Sequence, residues 1–344
     1  MSTRRMDNGS SALLAFSVLC FLSGLYSGVI RAESENIAPA KDTPVDECTE
    51  GRADWIFCSG FEEGDLDLWD DWDGNPPETN LLMEDPGPQD VSGNHVMRLR
   101  VPDGRGMADL VKELPSAYDR LFVRWYVQWE PGYDFNALCH GGGLHAGART
   151  LMGHSGDRPV GDDFFNATIE PSPQSHRLQI YSYYRGMYMD CIDPEGQCWG
   201  DMFPCTLDEG PHICEKPQHR DTVLPPVLET GQWYCIEILV DGGTPTPSES
   251  GADGIINFWV DGEEIGPWDD LWMRTSPDLQ LRYLWLALFH HDEHSVEGLK
   301  LDYVVVSSSR IGCIGRQPGA LDDEASWGSL KARYGSLNGG NSVK

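Results

Sequence analysis

From Leu121 to Trp129 the chain reads Leu-Phe-Val-Arg-Trp-Tyr-Val-Gln-Trp, a two-residue alternation. In an extended strand this places Val123, Trp125, Val127 and Trp129 on one face and Arg124, Tyr126 and Gln128 on the other. A strand that is greasy on one side must lay that side on a second sheet. Strand signals recur at His95–Val101, Leu178–Tyr184, Trp233–Val240, Ile255–Val260, Leu281–Phe289 and Leu299–Ser307, separated by Gly, Pro, Asn and Asp clusters. No long stretch holds a helical period. Asp261-Gly262 reads as a hairpin turn that pairs Phe258-Trp259-Val260 with Glu264-Ile265. The expected fold is therefore all-β: a two-sheet antiparallel β-sandwich of jelly-roll type with long disulfide-bearing loops, one domain over residues 51–315.

The chain ends are different in character. Arg4 and Arg5 precede an apolar run from Ala12 to Ile30 that closes at Arg31-Ala32, which reads as a signal peptide over residues 1–32. Ser17, Ser23, Gly24, Ser27 and Gly28 interrupt the run, so it reads less well as a permanent anchor. Residues 33–50 are polar and Pro-bearing, a linker; residues 316–344 are expected to be a partly disordered tail. No other segment is apolar for long enough to span a bilayer, so a secreted protein with no membrane insertion after signal removal is expected. The formal charge of −30 becomes −32 without the leader, which carries Arg4, Arg5 and Arg31 against Asp7. So acidic a surface repels nucleic acid and anionic lipid, which argues against both as partners.

Nine cysteines follow the leader: Cys48, Cys58, Cys139, Cys191, Cys198, Cys205, Cys214, Cys235 and Cys313. In an oxidising compartment they read first as disulfides, and the odd count leaves at least one thiol unpaired. Local pairs 191–198 and 205–214 are the simplest reading of the turn-rich stretch. If the first and last strands lie side by side, Cys58 or Cys48 could bridge to Cys313. The spacing lacks the repeated two-residue knuckle of structural zinc sites.

Several segments carry a family resemblance. Gly231-Gln232-Trp233-Tyr234-Cys235-Ile236-Glu237-Ile238, Phe258-Trp259-Val260-Asp261-Gly262, Leu284-Trp285-Leu286 and Leu301-Asp302-Tyr303-Val304-Val305-Val306 resemble the C-terminal half of the concanavalin A-like jelly-roll polysaccharide lyases of family 14 and the related glucuronan lyases. Upstream, Cys139 to Gly147 is similar to that group's Lys-Leu-Pro-Gly-Leu segment, and Gln179-Ile180-Tyr181-Ser182-Tyr183 to its Tyr-x-Tyr strand. Two departures stand out. His140 occupies the place of the group's catalytic Lys, and the expected Ser-x-Arg element reads Asn166-Ala167-Thr168-Ile169-Glu170.

The resemblance implies β-elimination on a uronate-containing polymer such as alginate or glucuronan. That chemistry needs a group to neutralise the C5 carboxylate, a base for the C5 proton and an acid for the leaving oxygen. On alternation, Gln179, Tyr181 and Tyr183 share one face of their strand. The expected catalytic set is His140, Tyr181 and Tyr183. The expected substrate-binding set is Arg124, Tyr126, Gln179, Arg185 and His145, with Arg124 and Tyr126 close by if sequential strands pair. No cofactor is required for the chemistry. Paired tyrosines on a strand also commonly fill a half-buried face, and His140 could simply tie down a Gly-rich turn, so a non-catalytic carbohydrate-binding or adhesion jelly roll is the alternative. Glu62 and Asp302 are an acidic pair that would suit a structural Ca²⁺ if the terminal strands are neighbours. In His290-His291-Asp292-Glu293-His294, adjacent residues point to opposite faces, so a solvated loop is the plainer reading than a metal site. No strand supplies the alternating carboxylates of a retaining glycosidase, and no Ser nucleophile elbow occurs.

Overall fold

A computed structural model describes residues 47–72, 79–101, 106–188, 196–205, 223–291 and 296–314. The leader expected over 1–32 and the tail expected over 316–344 lie outside the described residues. Within the expected linker, Glu47–Glu50 is one helical turn, α1.

Strands alternating greasy and polar residues form two antiparallel sheets. In the nine-stranded sheet, β14 (Glu263–Glu264), β13 (Gly254–Val260), β12 (Trp233–Asp241), β6 (Arg120–Trp129), β17 (Leu299–Ser307), β4 (His95–Leu99) and β3 (Asn80–Glu84) follow one another. β1 (Trp55–Ser59) joins it on β17, and β15 (Trp268–Leu271) on β13. The eight-stranded sheet runs β11 (Asp201–Phe203), β10 (Leu178–Ser182), β9 (Phe164–Pro171), β8 (Gly143–Gly147), β16 (Leu281–His290), β5 (Gly106–Tyr118) and β2 (Asp71–Trp72), with β7 (Cys139–His140) on β16.

The alternation of β6 is realised as read. Val123, Trp125, Val127 and Trp129 enter one buried cluster with Ile236 and Ile238 of β12, Val304 and Val306 of β17, Leu144 and Ala146 of β8, and Leu284, Leu286 and Leu288 of β16. Burying each large side chain is worth roughly 1.5–3 kcal/mol, so this inter-sheet layer is the main stabilising contact. Asp261 and Gly262 have φ of 52° and 86°, the left-handed pair that a two-residue hairpin requires, and Val260 opposes Glu263.

The terminal strands do lie side by side, with Trp55 opposite Ser307. The disulfides nevertheless differ from the expected bridge to Cys313. Cys48 pairs with Cys58, ten residues away, and Cys313 pairs with Cys235, 78 residues away. Cys58 opposes Val305, so the chain has passed it well before reaching position 313. There Cys313 packs against the outer face of the nine-stranded sheet, beside Cys235, Tyr126 and Tyr303. Cys198 and Cys205 are also disulfide-bonded, while Cys191 and Cys214 lie outside the described residues. Among the described residues the unpaired thiol is Cys139, buried in the core, where burial pushes its pKa up to about 12. Because the cost of losing a bridge rises with the loop it closes, serine substitution of Cys235 and Cys313 should destabilise the fold by about 4 kcal/mol and of Cys48 and Cys58 by about 3 kcal/mol. Urea denaturation midpoints check that order.

Candidate active site on the outer face of the eight-stranded sheet

The site begins with three glycines. Gly141, Gly142 and Gly143 run between β9 and β16, and the Ile169 N–H donates to the Gly142 carbonyl at 2.9 Å. A Cβ on Gly141 would stand 1.9 Å from the Ile169 carbonyl oxygen, and one on Gly143 2.0 Å from that of Ala167. Only bare backbone fits, and the fit fixes the residue that leads into it. Opposite β16, Cys139 faces His290 and His140 faces Phe289. Cys139 goes into the core; His140 emerges on the outer face with its side chain 25% exposed.

Three elements hold that imidazole. Its ring lies near-parallel to Tyr181 of β10, with centroids 5.2 Å apart, and to Phe289 at 6.0 Å. From β9, buried Glu170 takes Nδ1 on its Oε2 at 2.5 Å. A carboxylate only accepts, so Nδ1 carries the proton and Nε2 the lone pair in the neutral ring. Gln179 of β10 donates Nε2 to the other Glu170 oxygen at 3.3 Å. From the end of β16, His291 brings its Nε2 to 2.7 Å from His140 Nε2. Burial of His140 pulls its pKa down, but the charge and hydrogen bond of Glu170 outweigh this, and the net shift is upward.

The tyrosines complete a hydroxyl chain. Tyr183 donates to the Cys198 carbonyl at 3.2 Å, the Tyr181 and Tyr183 hydroxyls are 3.0 Å apart, and the Gly200 N–H donates to Tyr181 at 3.2 Å. With the Tyr183 proton on Cys198, Tyr181 donates to Tyr183. Burial raises both phenol pKa values, that of Tyr181 well above the ordinary range, so both stay protonated. Neither can serve as a base near neutrality; Tyr181, 9% exposed against 2% for Tyr183, is the reachable proton donor.

The other expected residues stand elsewhere. Arg124 and Tyr126 belong to the nine-stranded sheet, because β6 pairs with β12 and β17 rather than with its successors in sequence. They face away from the core: fully buried Arg124 pairs with Glu47 and lies over Tyr126, whose hydroxyl accepts the Ile314 N–H at 2.7 Å. This corrects the expectation that they line the sugar site. Arg185 lies with its guanidinium over Trp272, 4.6 Å from the ring centroid. His145 is on the same face as His140 but buried between Phe164 and Tyr283, with Nε2 donating to the Ala148 carbonyl at 3.2 Å. Burial lowers its pKa to about 4, so it is a neutral part of the wall.

Glu62 and Asp302 are each engaged. Glu62 accepts the His95 N–H at 3.0 Å, and Asp302 accepts Asn94 Nδ2 at 3.0 Å and the Tyr303 N–H at 2.7 Å. Burial, with the charge of Glu62 adding to it, pushes the Asp302 carboxyl well above the ordinary range. His290 and His291 do face opposite ways, His290 toward Tyr133 in the interior and His291 toward His140. Asp292, Glu293 and His294 lie outside the described residues.

Two members of the site, Glu170 and His291, were not among the sequence candidates. Glu170 had a signal: alternation along Phe164–Pro171 puts Asn166, Thr168 and Glu170 on one face. A cavity beneath the glycines, about 30 Å³, is lined by Trp125, Ile169, Leu286 and other apolar groups of the inter-sheet core together with His140.

No protein-family model matches the chain, and no curated protein does. Among solved structures it is similar to polysaccharide lyases. A family PL-14 alginate lyase from Aplysia kurodai matches with a TM-score of 0.49 and 11% identity over 73% of this chain and 98% of that one. The alginate lyase vAL-1 from Chlorella virus matches at 0.47 and 15% over 70% and 93%. The endo-β-1,4-glucuronan lyase from the fungus Trichoderma reesei matches at 0.47 and 13% over 74% and 96%. The activities named are those of these proteins; for this chain the chemistry rests on the residues above. Among the described residues no helix is long and apolar enough to cross a membrane.

Proposed function

We propose that this chain is a secreted polysaccharide lyase that cleaves a uronate-containing polymer of alginate or glucuronan type by β-elimination. The observation that carries the reading is the partly exposed His140 imidazole, held by Glu170 in the tautomer whose Nε2 is a base. Nε2 takes the C5 proton, and Glu170 stabilises the imidazolium that forms. The electron pair left on C5 forms the C4–C5 double bond as the C4–O4 bond breaks. The Tyr181 hydroxyl exchanges its bond to Tyr183 for one to the departing oxygen and supplies the proton to it. Charge on an otherwise repulsive body is screened at high salt, where the Debye length is about 3 Å at 1 M.

Incubation with a panel of uronic-acid polymers tests this directly. The expected result is a rise in absorbance at the unsaturated-uronate band that disappears in His140→Ala. New reducing ends without that absorbance would instead mean hydrolysis. The second reading, a carbohydrate-binding jelly roll without catalysis, is favoured by one observation: the hydrogen-bond and ion-pair partners of His140 among the described residues, Glu170 and His291, include no Lys or Arg. It predicts binding with no absorbance change on any polymer.

A structural Ca²⁺ on Glu62 and Asp302 is part of the same proposal. What supports it is a buried carboxyl, Asp302, whose ionisation a cation would favour, close enough to Glu62 to feel its charge. Among the described residues no three His, Cys, Asp or Glu side chains converge as a metal set, so backbone carbonyls would supply further ligands, which Ca²⁺ accepts. Without a cation, a carboxyl with a raised folded pKa contributes stability at acid pH that is lost as pH rises through that value. The melting temperature in chelator should therefore fall as pH rises above the ordinary carboxylate range, and Ca²⁺ should restore it. A melt insensitive to Ca²⁺ removes the ion from the reading.

A further inference from the structure

We propose that His291 recognises the uronate carboxylate and, until a uronate arrives, caps the base. This rests on the β-elimination reading and names the group that selects its substrate.

His140 Nδ1 spends its hydrogen on Glu170, which leaves the lone pair on Nε2. His291 Nε2 is 2.7 Å from that atom, a hydrogen-bond distance that holds one proton. With the lone pair on His140, the shared proton belongs to His291. The resting base is thus occupied: His140 Nε2 cannot accept a C5 proton while it accepts the His291 N–H.

A carboxylate entering beside the pair changes this balance. An ionised acceptor forms a shorter and stronger bond with an imidazole N–H than a neutral ring nitrogen does. The His291 N–H therefore passes from His140 to the uronate, and the lone pair is released next to the C5 proton it must take. A neutral sugar offers no acceptor of that strength, so the cap stays on. Selection for uronate and activation of the base become one event.

Among the described residues, the surroundings of His140 point to His291 for this role. The groups among them that are bonded to or stacked on His140 are Glu170 from β9, Tyr181 from β10, and Phe289 and His291 from β16 and its end. The arginines expected to hold the carboxylate are on the other sheet, in the case of Arg124, or over Trp272, in the case of Arg185. The His291 ring meets both His140 and Phe289 edge to face, at 4.8 and 4.9 Å between centroids.

Methyl β-glucuronoside and methyl β-glucoside provide the test, since neither carries a sugar on O4 and neither can be cleaved. Titration of the full chain, followed by imidazole ¹⁵N resonances, should give about tenfold tighter binding of the glucuronoside. The His140 Nε2 resonance should move toward that of a free lone pair with the glucuronoside only. In His291→Ala and His291→Gln the preference should fall to about twofold or less, whereas His140→Gln should keep it. An unchanged preference in both His291 variants, or none in the wild type, overturns the proposal. Failure of the lyase reading is seen separately: a glucuronoside preference that depends on His291, with no unsaturated product from any polymer, leaves the recognition role standing and removes the elimination.

Discussion

Glu170→Gln is expected to lower turnover on a uronate polymer by about a hundredfold to ten-thousandfold and to move the acidic limb of the pH profile to lower pH. Glutamine keeps the size of the side chain but removes the charge. Its amide can also present an N–H to His140 Nδ1, which would put the ring proton on Nε2, the wrong atom for a base. The sign of the pH shift follows from the causes acting on His140. Burial lowers its pKa, and Glu170 raises it by more. The base must be neutral, so in the wild type activity rises as pH passes upward through the raised value. With the carboxylate gone, burial alone remains and the limb falls below the ordinary imidazole value. Stability should change in step. A histidine with a raised folded pKa contributes stability that is fully present below the unfolded value and is lost as pH rises through the folded one. The stability difference between wild type and Glu170→Gln should therefore shrink as pH rises. Initial rates from absorbance and urea midpoints at several pH values check both statements, and an unmoved acidic limb would mean that His140 is not the base.

The same residues show how far the amino-acid pattern could be read. Strands with strong alternation, such as Arg120–Trp129 and Leu299–Ser307, and the Asp261-Gly262 turn were legible because one face is apolar and the turn chemistry is specific. Gly106–Tyr118 was not among the clear strand signals, since Ala108, Lys112, Glu113 and Pro115 blur its alternation. Phe164–Pro171 was harder still. Both of its faces are buried, so Asn166, Thr168 and Glu170 sit among apolar residues without looking like a surface. That strand carries Glu170, and missing the strand meant missing the partner of His140. Arg124 was misplaced for a topological reason: a jelly roll sends β6 to one sheet and the next strands, β7 and β8, to the other, so closeness in sequence did not mean closeness across a sheet. His291 was hidden by its neighbours, since a run of five polar residues gives no sign of which ring turns toward the sheet.

Gly143→Ala should destabilise the protein by about 3 kcal/mol or more and abolish any activity that depends on His140. One methyl group is a small change, and its effect depends on what it meets. The far end of a flexible side chain can swing aside, but a Cβ added to Gly143 would meet backbone: the Ala167 carbonyl oxygen at 2.0 Å, its carbon at 2.9 Å and the Thr168 Cα at 2.9 Å. Relieving that contact requires β8 and β9 to separate where Gly143 opposes Thr168, next to the bond between the Ile169 N–H and the Gly142 carbonyl. On the other side β8 is held by β16, where Gly143 opposes Trp285, so it has no free edge toward which to move. The displaced strand is joined through Gly141 and Gly142 to β7, which carries His140, while Glu170 stays on β9, so the 2.5 Å contact that fixes the base is lost together with the sheet register. Gly153→Ala is the informative contrast. Its Cβ would meet the tip of the Trp285 ring at 3.0 Å, away from His140 and without backbone contact within 4 Å among its nearest neighbours. With φ of +67° it carries its own left-handed cost, about 1 kcal/mol, and should lower stability without altering His140. Urea midpoints for the two variants, read beside the His140 ¹⁵N resonances, separate the effects. Equal losses of stability with His140 undisturbed in both would mean that the glycine segment does not position the base.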